Sequence, residues 1–239
     1  MSPNLIKSLS IVTITQNNPD QLINTYRSLK SFRKTGGTHI IVNGGVTIKE
    51  LLEDDCVVLE EPDKGIYDAL NKGIEQVKTP FFMLIHSGDI LIATISILEK
   101  QLTTITEEHL DVLLNDCTIE FGKRKRILSS RNWKPWMFKV GAQPPHPPTI
   151  YRKKAVIPFS YDLEHPIIAD FKYLEQVFLS KIKWNKGNKT LIHMTAGGAT
   201  SSGVRSFFHV NKQFRKLKGP IKMIWFALAR PFIKFYQMI

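Results

Sequence analysis

The stretch "EPDKGIYDALNKGI" sets two carboxylates, a lysine and an amide (Asp63, Asp68, Lys64 and Asn71) around the start of a helical pattern. Asp68 and Asn71 stand three residues apart, so a helix presents them on one face. The apolar run that follows, "PFFMLIHSGD", closes on another carboxylate, Asp89. A carboxylate there serves as a turn or capping residue, or as a ligand for a hard cation. Mg2+ or Mn2+ takes one or two protein carboxylates beside substrate phosphates. Asp170, in "IIADFKYLEQ", suits the first turn of a helix through the helix dipole. It equally suits a general base that takes a proton from a hydroxyl. His146, in "QPPHPPT", reads on its own as a packing residue of a loop.

The hydropathy pattern supplies elements to hold these groups. "SLSIVTITQNN" (8–18) predicts a buried strand running into a loop. Leu22, Ile23, Tyr26, Leu29 and Phe32 recur at helical spacing behind Pro19, which predicts a helix over 19–32. Further strands follow at 38–45, 56–62 and 80–89, with a helix at 65–77 that turns Ala69, Leu70 and Ile74 onto the sheet. Strands and helices that alternate at short range predict an α/β fold with a doubly wound, mostly parallel sheet flanked by helices. Ligands of such sheets bind beyond the carboxyl ends of the strands. Thr15 and Asn17, Asn43 with Gly44 and Gly45, Asp63 with Lys64, and His86 with Asp89 all fall at those ends. The second half is less regular. It predicts a hairpin over 110–130 around Gly122, a shaped loop or lid over 131–153, an amphipathic helix over 166–181 and a strand into a Gly/Ser loop over 189–203.

The 239 residues are 43 % apolar, enough for one α/β domain with an appendage. Cys56 and Cys117 lie in apolar runs and read as buried, reduced strand residues. No apolar segment follows "MSPNLIK", so the expected location is cytoplasmic. The net charge is +12, which favours polyanionic partners. Eight Lys/Arg and no Asp/Glu lie between Arg205 and Ile239, which leaves +4 for the rest. P-loop and dinucleotide glycine motifs, a serine nucleophile elbow and Cys/His metal spacings are all missing from the sequence.

With those motifs excluded, the residues at the strand ends resemble one family closely. "DKGIYDALNKG" is similar to a signature of family 2 glycosyltransferases of the bacterial surface-polysaccharide type, which have the GT-A fold. "VTITQNN", "IIVNGG", "MLIHSGD", "HPPTIYRK", "IIADFKYLEQVF" and "GGATSSG" resemble further family segments in the same order, over roughly residues 8 to 204. Asn43 stands where the family has Asp, Val46 where it has Ser, and His86 where Asn is common. Ser87 leaves Asp89 as the lone carboxylate of the metal motif.

The resemblance implies an inverting transfer from a nucleotide-sugar, with a UDP-sugar favoured, to a hydroxyl of a lipid-linked glycan. The product would be a surface polysaccharide: O-antigen, capsule or exopolysaccharide. It implies donor binding by Thr15, Asn17, Asn43, Asp63, Lys64, Gly65, Asp68, Asn71, Ser87 and Gly88. Asp89 would hold Mn2+ or Mg2+, His146 and Arg152 would lie on the acceptor side, and Asp170 would be the catalytic base. The implied domain is 1–204, with a basic amphipathic tail at 205–239. Ile221, Ile224, Trp225, Leu228, Phe232 and Phe235 recur in that tail at three- and four-residue steps among lysines and arginines. This predicts an interfacial helix on the inner leaflet, peripheral on the cytoplasmic face of the inner membrane. The other readings of the tail are a helix packed on the core or the seam of a homodimer. The charge alone also permits a non-catalytic protein that binds nucleic acid or another polyanion. Against nucleic acid, the basic residues gather in the tail and do not line a groove across the fold.

Overall fold

The computed structural model describes residues 4–121 and 124–195. Gly122 at the expected hairpin tip, the "GGATSSG" loop and the 205–239 tail lie outside them. The strands are β1 (Leu9–Thr15), β2 (Thr38–Asn43), β3 (Val57–Glu60), β4 (Phe81–Leu84), β5 (Ile90–Leu91), β6 (Val112–Phe121), β7 (Arg124–Leu128), β8 (Ile150–Arg152) and β9 (Trp184–Met194). The helices are α1 (Pro19–Ser28), α2 (Lys30–Lys34), α3 (Ile66–Gln76), α4 (Ile95–Glu107), α5 (Lys153–Val156) and α6 (Ala169–Leu179).

The local chemistry accounts for the element ends that matter to the site. Seven residues of β1, largely apolar and β-branched, are all buried, as a central strand requires. Asn18 caps α1 by accepting from the Gln21 N–H at 3.2 Å, and Pro19 takes the first helical position. The single helix expected over 19–32 breaks at Leu29 into α1 and α2. Gly65 opens α3 at φ 108°, a left-handed conformation that favours glycine.

The sheet runs β3-β2-β1-β4-β8-β6-β9-β5, and β7 pairs with β6. Its first half is parallel: β1 pairs with β2 and β4, and β2 with β3. Beyond β4 it is mixed. β8 is antiparallel to both β4 and β6, β6 is parallel to β9, and β5 and β7 pair antiparallel at their respective partners. One face packs Val12, Val42, Phe82 and Leu114 against α3, α6 and an aromatic group of Trp133, Phe138 and Phe178. The other packs Ile11, Met83 and Leu113 against Phe32 and α4.

Two readings of the second half need correction. The 131–153 segment is no lid. Trp133, Met137, Phe138 and Tyr151 are buried, and its last residues form β8 in the middle of the sheet. Its aromatic rings pack edge to face with Phe178 and Trp184, a burial without helix or strand periodicity. The last strand begins at Trp184, not near 189. Cys117 is buried in β6, whereas Cys56 precedes β3 and is half-buried, and neither forms a disulfide. Among the described residues no helix is long and apolar enough to cross a membrane.

Candidate functional site

The loops after β1, β2 and β3 meet at their carboxyl ends, and the glycine pair explains how closely. A Cβ added at Gly44 would stand 1.7 Å from Asp63 Oδ2, and one at Gly45 would stand 2.4 Å from Asn17 Oδ1. Asn17 itself takes a left-handed φ of 53° and accepts the Val46 N–H at 3.0 Å. Asp63 Oδ1 accepts the Gly65 N–H at 2.8 Å, which shapes the turn into α3. Thr15 Oγ1 reaches Ser87 Oγ at 3.4 Å and so ties in the end of β4. Of the expected donor residues, the fold therefore brings Thr15, Asn17, Asp63, Gly65, Ser87 and Gly88 to one end of the sheet.

Asp89 closes the turn after β4 and is only 5 % exposed. Its Oδ1 accepts the Thr195 N–H at 3.3 Å, while its Oδ2 is buried and accepts no hydrogen bond among the described residues. Burial pushes its carboxyl up to about 7, although the backbone donors of Thr195 and His86 act the other way. A buried carboxylate with an orphaned oxygen is the donor that a divalent cation would complete, so Asp89 fits a metal ligand. Thr25, which sequence reasoning missed, builds this turn. Its Oγ1 donates to the Asp89 carbonyl at 2.8 Å and accepts the Gly88 N–H at 2.9 Å, across a Gly88 with φ 96°. A fully buried threonine inside an amphipathic helix gives no sequence signal for that role.

Asp170 lies in the first turn of α6, as expected. Its Oδ1 accepts the Phe171 N–H at 2.8 Å, and its Oδ2 accepts Gln143 Nε2 at 2.7 Å. The Tyr67 hydroxyl bonds the Asp170 backbone. Tyr67 stands in the first turn of α3, two residues after Gly65, so Asp170 shares the end of the fold that holds Asp63. Asn71, one turn further along α3, clamps Tyr161 in the loop before α6. It donates to the Tyr161 carbonyl at 3.0 Å and accepts its N–H at 2.8 Å.

Several expected roles change in the structure. Asn43 is 1 % exposed, and its amide serves its own loop, donating to the Val46 carbonyl at 2.7 Å and accepting the Gly45 N–H at 3.1 Å. Glu60, which was not foreseen, gathers the rest of that loop through Thr47 and the Ile48 N–H. Asp68 and Asn71 do not face the cleft together. Asp68 turns back to the Lys64 N–H at 2.9 Å and to Lys72 at 3.4 Å, and Asn71 is spent on Tyr161. The Lys64 residue is exposed. His146 is buried, with Nδ1 2.7 Å from the Tyr151 hydroxyl and Nε2 against the Tyr161 hydroxyl. Burial first, and His86 second, hold its pKa down to about 3, so it is a neutral packing residue beneath the site.

Arg152 is at the wrong end of the sheet for an acceptor contact. It pairs with Phe81, the first residue of β4, whereas the site follows the last. Its guanidinium lies 4.8 Å from the Phe81 ring centre and bonds the Leu110 carbonyl at 2.8 Å.

Asp162, Glu164 and His165 also cluster, with potential ligand atoms within 4.8 Å of one another. Asp162 is already engaged there by Lys172 Nζ at 2.5 Å, His165 Nδ1 at 2.7 Å and the Glu164 N–H at 2.8 Å. That carboxylate has its counter-charge, whereas Asp89 has none among the described residues. A groove of about 620 Å³ runs beside it, lined by Phe159, Asp162, Lys172, Gln176 and Leu179. Lys172 and Gln176 point away from Asp170 on α6, so this groove is separate from the strand-end site.

No family model matches the chain. An uncharacterized glycosyltransferase of Mycobacterium tuberculosis, from strains CDC 1551 and H37Rv, is 32 % identical over 95 residues, covering 34 % of this chain. The matched part spans 34 % of the length of these curated relatives. Among solved structures, S. aureus TarS 1–349 in complex with UDP-GlcNAc superposes with a TM-score of 0.65 at 17 % identity, over 94 % of this chain and 72 % of that one. The mannosyltransferase PcManGT from Pyrobaculum calidifontis, in complex with GDP-Man and Mn2+, gives 0.60 at 9 % identity, over 93 % and 68 %. The chain therefore has the GT-A-like α/β fold of glycosyltransferases.

Proposed function

We propose that this chain is an inverting glycosyltransferase that moves a sugar from a nucleotide-sugar, a UDP-sugar in first place, to an acceptor hydroxyl. One observation carries the reading: the closely packed loops of Asn17, Gly45 and Asp63 share an end of the sheet with the orphaned Asp89 Oδ2, and α3 ties Asp170 to that same end. The relatives that bind UDP-GlcNAc or GDP-Man with Mn2+ support a nucleotide-sugar as the donor.

In this reading Asp63 and Asn17 receive the nucleoside at the strand ends, and Gly44, Gly45 and Gly65 let the backbone approach it. Asp89 would hold Mn2+ or Mg2+, which when bound offsets negative charge on the departing diphosphate. Asp170 takes the acceptor O–H proton. The freed oxygen pair attacks the anomeric carbon from the face opposite the leaving group. The bond from that carbon to the diphosphate oxygen breaks, and the nucleoside diphosphate keeps the electron pair. General-base help of this kind is worth about 10²–10⁴ in rate.

The acceptor we favour is a lipid-linked glycan in surface-polysaccharide synthesis, reached from the cytoplasmic face of the inner membrane through the 205–239 tail. A thermal-shift panel of UDP-, GDP-, CMP- and dTDP-sugars with Mn2+ tests the donor. One nucleotide class should stabilise the wild type and fail to stabilise Asp89→Ala. Silence across the panel, together with a salt-dependent shift of duplex nucleic acid in a gel, would replace the enzyme reading with the polyanion-binding one.

A further inference from the structure

We infer that Gln143 is a positioning residue for Asp170, setting the direction and the charge state of its carboxylate. The inference rests on the proposed role of Asp170 as base. Gln143 Nε2 lies 2.7 Å from Asp170 Oδ2, and the Phe171 N–H lies 2.8 Å from Oδ1. Each oxygen thus accepts a donor from this framework, and the two together fix the carboxylate plane. The amide must present its nitrogen here, because its oxygen would repel the carboxylate.

The backbone under Gln143 is built to be stiff. Trp133 is fully buried, and its Nε1–H donates to the Ala142 carbonyl at 3.2 Å. Ala142 N–H returns to the Met137 carbonyl at 3.0 Å, past Gly141 in the left-handed region at φ 78°. Pro144 and Pro145 follow, and a residue before proline is confined to extended backbone. The aromatic and proline-rich segment, expected from the sequence as a shaped loop or lid, is therefore a rigid mount, and Gln143 is the polar side chain it delivers to Asp170.

The choice of an amide has a chemical reason. A lysine or arginine beside the carboxylate would lower its proton affinity by about 1–3 pH units and spoil a base meant to work near neutrality. A neutral donor orients the group and favours its charged form more mildly. That choice occurs in a chain with 33 Lys and Arg. Among the described residues, the titratable side chains that feel the Asp170 charge include Tyr67 from α3, Tyr151 from β8 and Tyr161 from the loop before α6. Burial holds all three phenols above their ordinary range, so they stay neutral across the working pH.

The test compares full-length wild type, Gln143→Leu, Gln143→Glu and Asp170→Asn. Release of nucleoside diphosphate is followed against pH, using whichever UDP-, GDP-, CMP- or dTDP-sugar the wild type turns over fastest with Mn2+. Removing the N–H donor makes the carboxylate easier to protonate, so the acid limb of the rate profile should move to higher pH in Gln143→Leu. It should move further in Gln143→Glu, which sets a like charge beside the base. At neutral pH Gln143→Leu should lose about tenfold or more in kcat, with recovery at high pH and little change in donor KM. An acid limb that stays in place in both variants overturns the inference, whatever the rate does. If the leucine variant fails to fold, the near-isosteric glutamate variant decides alone. An inactive Asp170→Asn beside an unmoved limb sinks the role of Gln143 and leaves the proposed function standing. An active Asp170→Asn, or no turnover of any donor by the wild type, sinks both.

Discussion

Asn43 shows how one residue can leave a family pattern without leaving the site. Its amide donates to the Val46 carbonyl at 2.7 Å, an acceptor that only a donor can satisfy, while its oxygen accepts the Gly45 N–H. Asn43→Asp restores the residue usual in the resembling family, yet here it would face that carbonyl and Glu60 with a carboxylate. It should destabilise the protein by about 1–3 kcal/mol, read as a lower urea midpoint. A variant as stable as the wild type would show that the loop repacks freely. Asp89 carries the companion prediction. Mn2+ should raise the melting temperature of the wild type and leave that of Asp89→Asn unchanged, whereas an equal rise in both would reduce Asp89 to a turn residue. At this scale the sequence was informative about which residues gather and poor about what their atoms touch. Asp63, Asp89 and Asp170 were legible from their places at strand and helix ends. The inward turn of Asn43 and the loss of Asn71 to Tyr161, 90 positions away, depend on partners that no local pattern reveals.

Helix α3 carries the proposed site, because it links the proposed donor loop at Gly65 to Asp170 through Tyr67. Its seat on the sheet leaves no spare room. A Cβ at Gly73 would stand 2.5 Å from Val12 Cγ1 and 3.1 Å from Val42 Cγ2. Gly73→Ala should therefore cost about 1–3 kcal/mol through overpacking. It should also weaken donor binding, because the helix must lift and carry Gly65 and Tyr67 with it. A variant that loses stability with unchanged donor affinity would separate α3 from the site. The helix was legible because Ala69, Leu70 and Ile74 mark an apolar face at helical spacing. β8 was not, since three residues between a proline-rich run and a short helix carry no periodicity. Arg152 was misplaced for the same reason, as its position follows from antiparallel pairing with Phe81.

For the whole molecule, the buried His39 and His146 and the half-buried His86 set the acid response. Burial, the largest cause in each, lowers His39 and His146 to about 3 and His86 to about 4. The unfolded chain takes up those protons near pH 6.5. Between that pH and about 4 it therefore binds more protons than the folded one, and stability falls as pH falls. Asp89, raised to about 7, works in the opposite sense with one proton against three. The urea midpoint should drop between pH 7 and pH 5, and His146→Gln should flatten the drop. A flat wild-type profile would mean that these rings reach solvent. The basic tail lies outside the described residues and remains a proposal: deleting 210–239 should leave a folded enzyme that no longer sediments with anionic liposomes. An unfolded truncation would return the tail to the core. The central claim meets its most direct test in donor binding and turnover by Asp170→Asn, measured beside the wild type with Mn2+ and the same nucleotide-sugar. The amide keeps the shape and cannot take a proton, so the account predicts unchanged donor affinity and a loss of nucleoside diphosphate release of about a hundredfold or more. Release at more than about a tenth of the wild-type rate would contradict it.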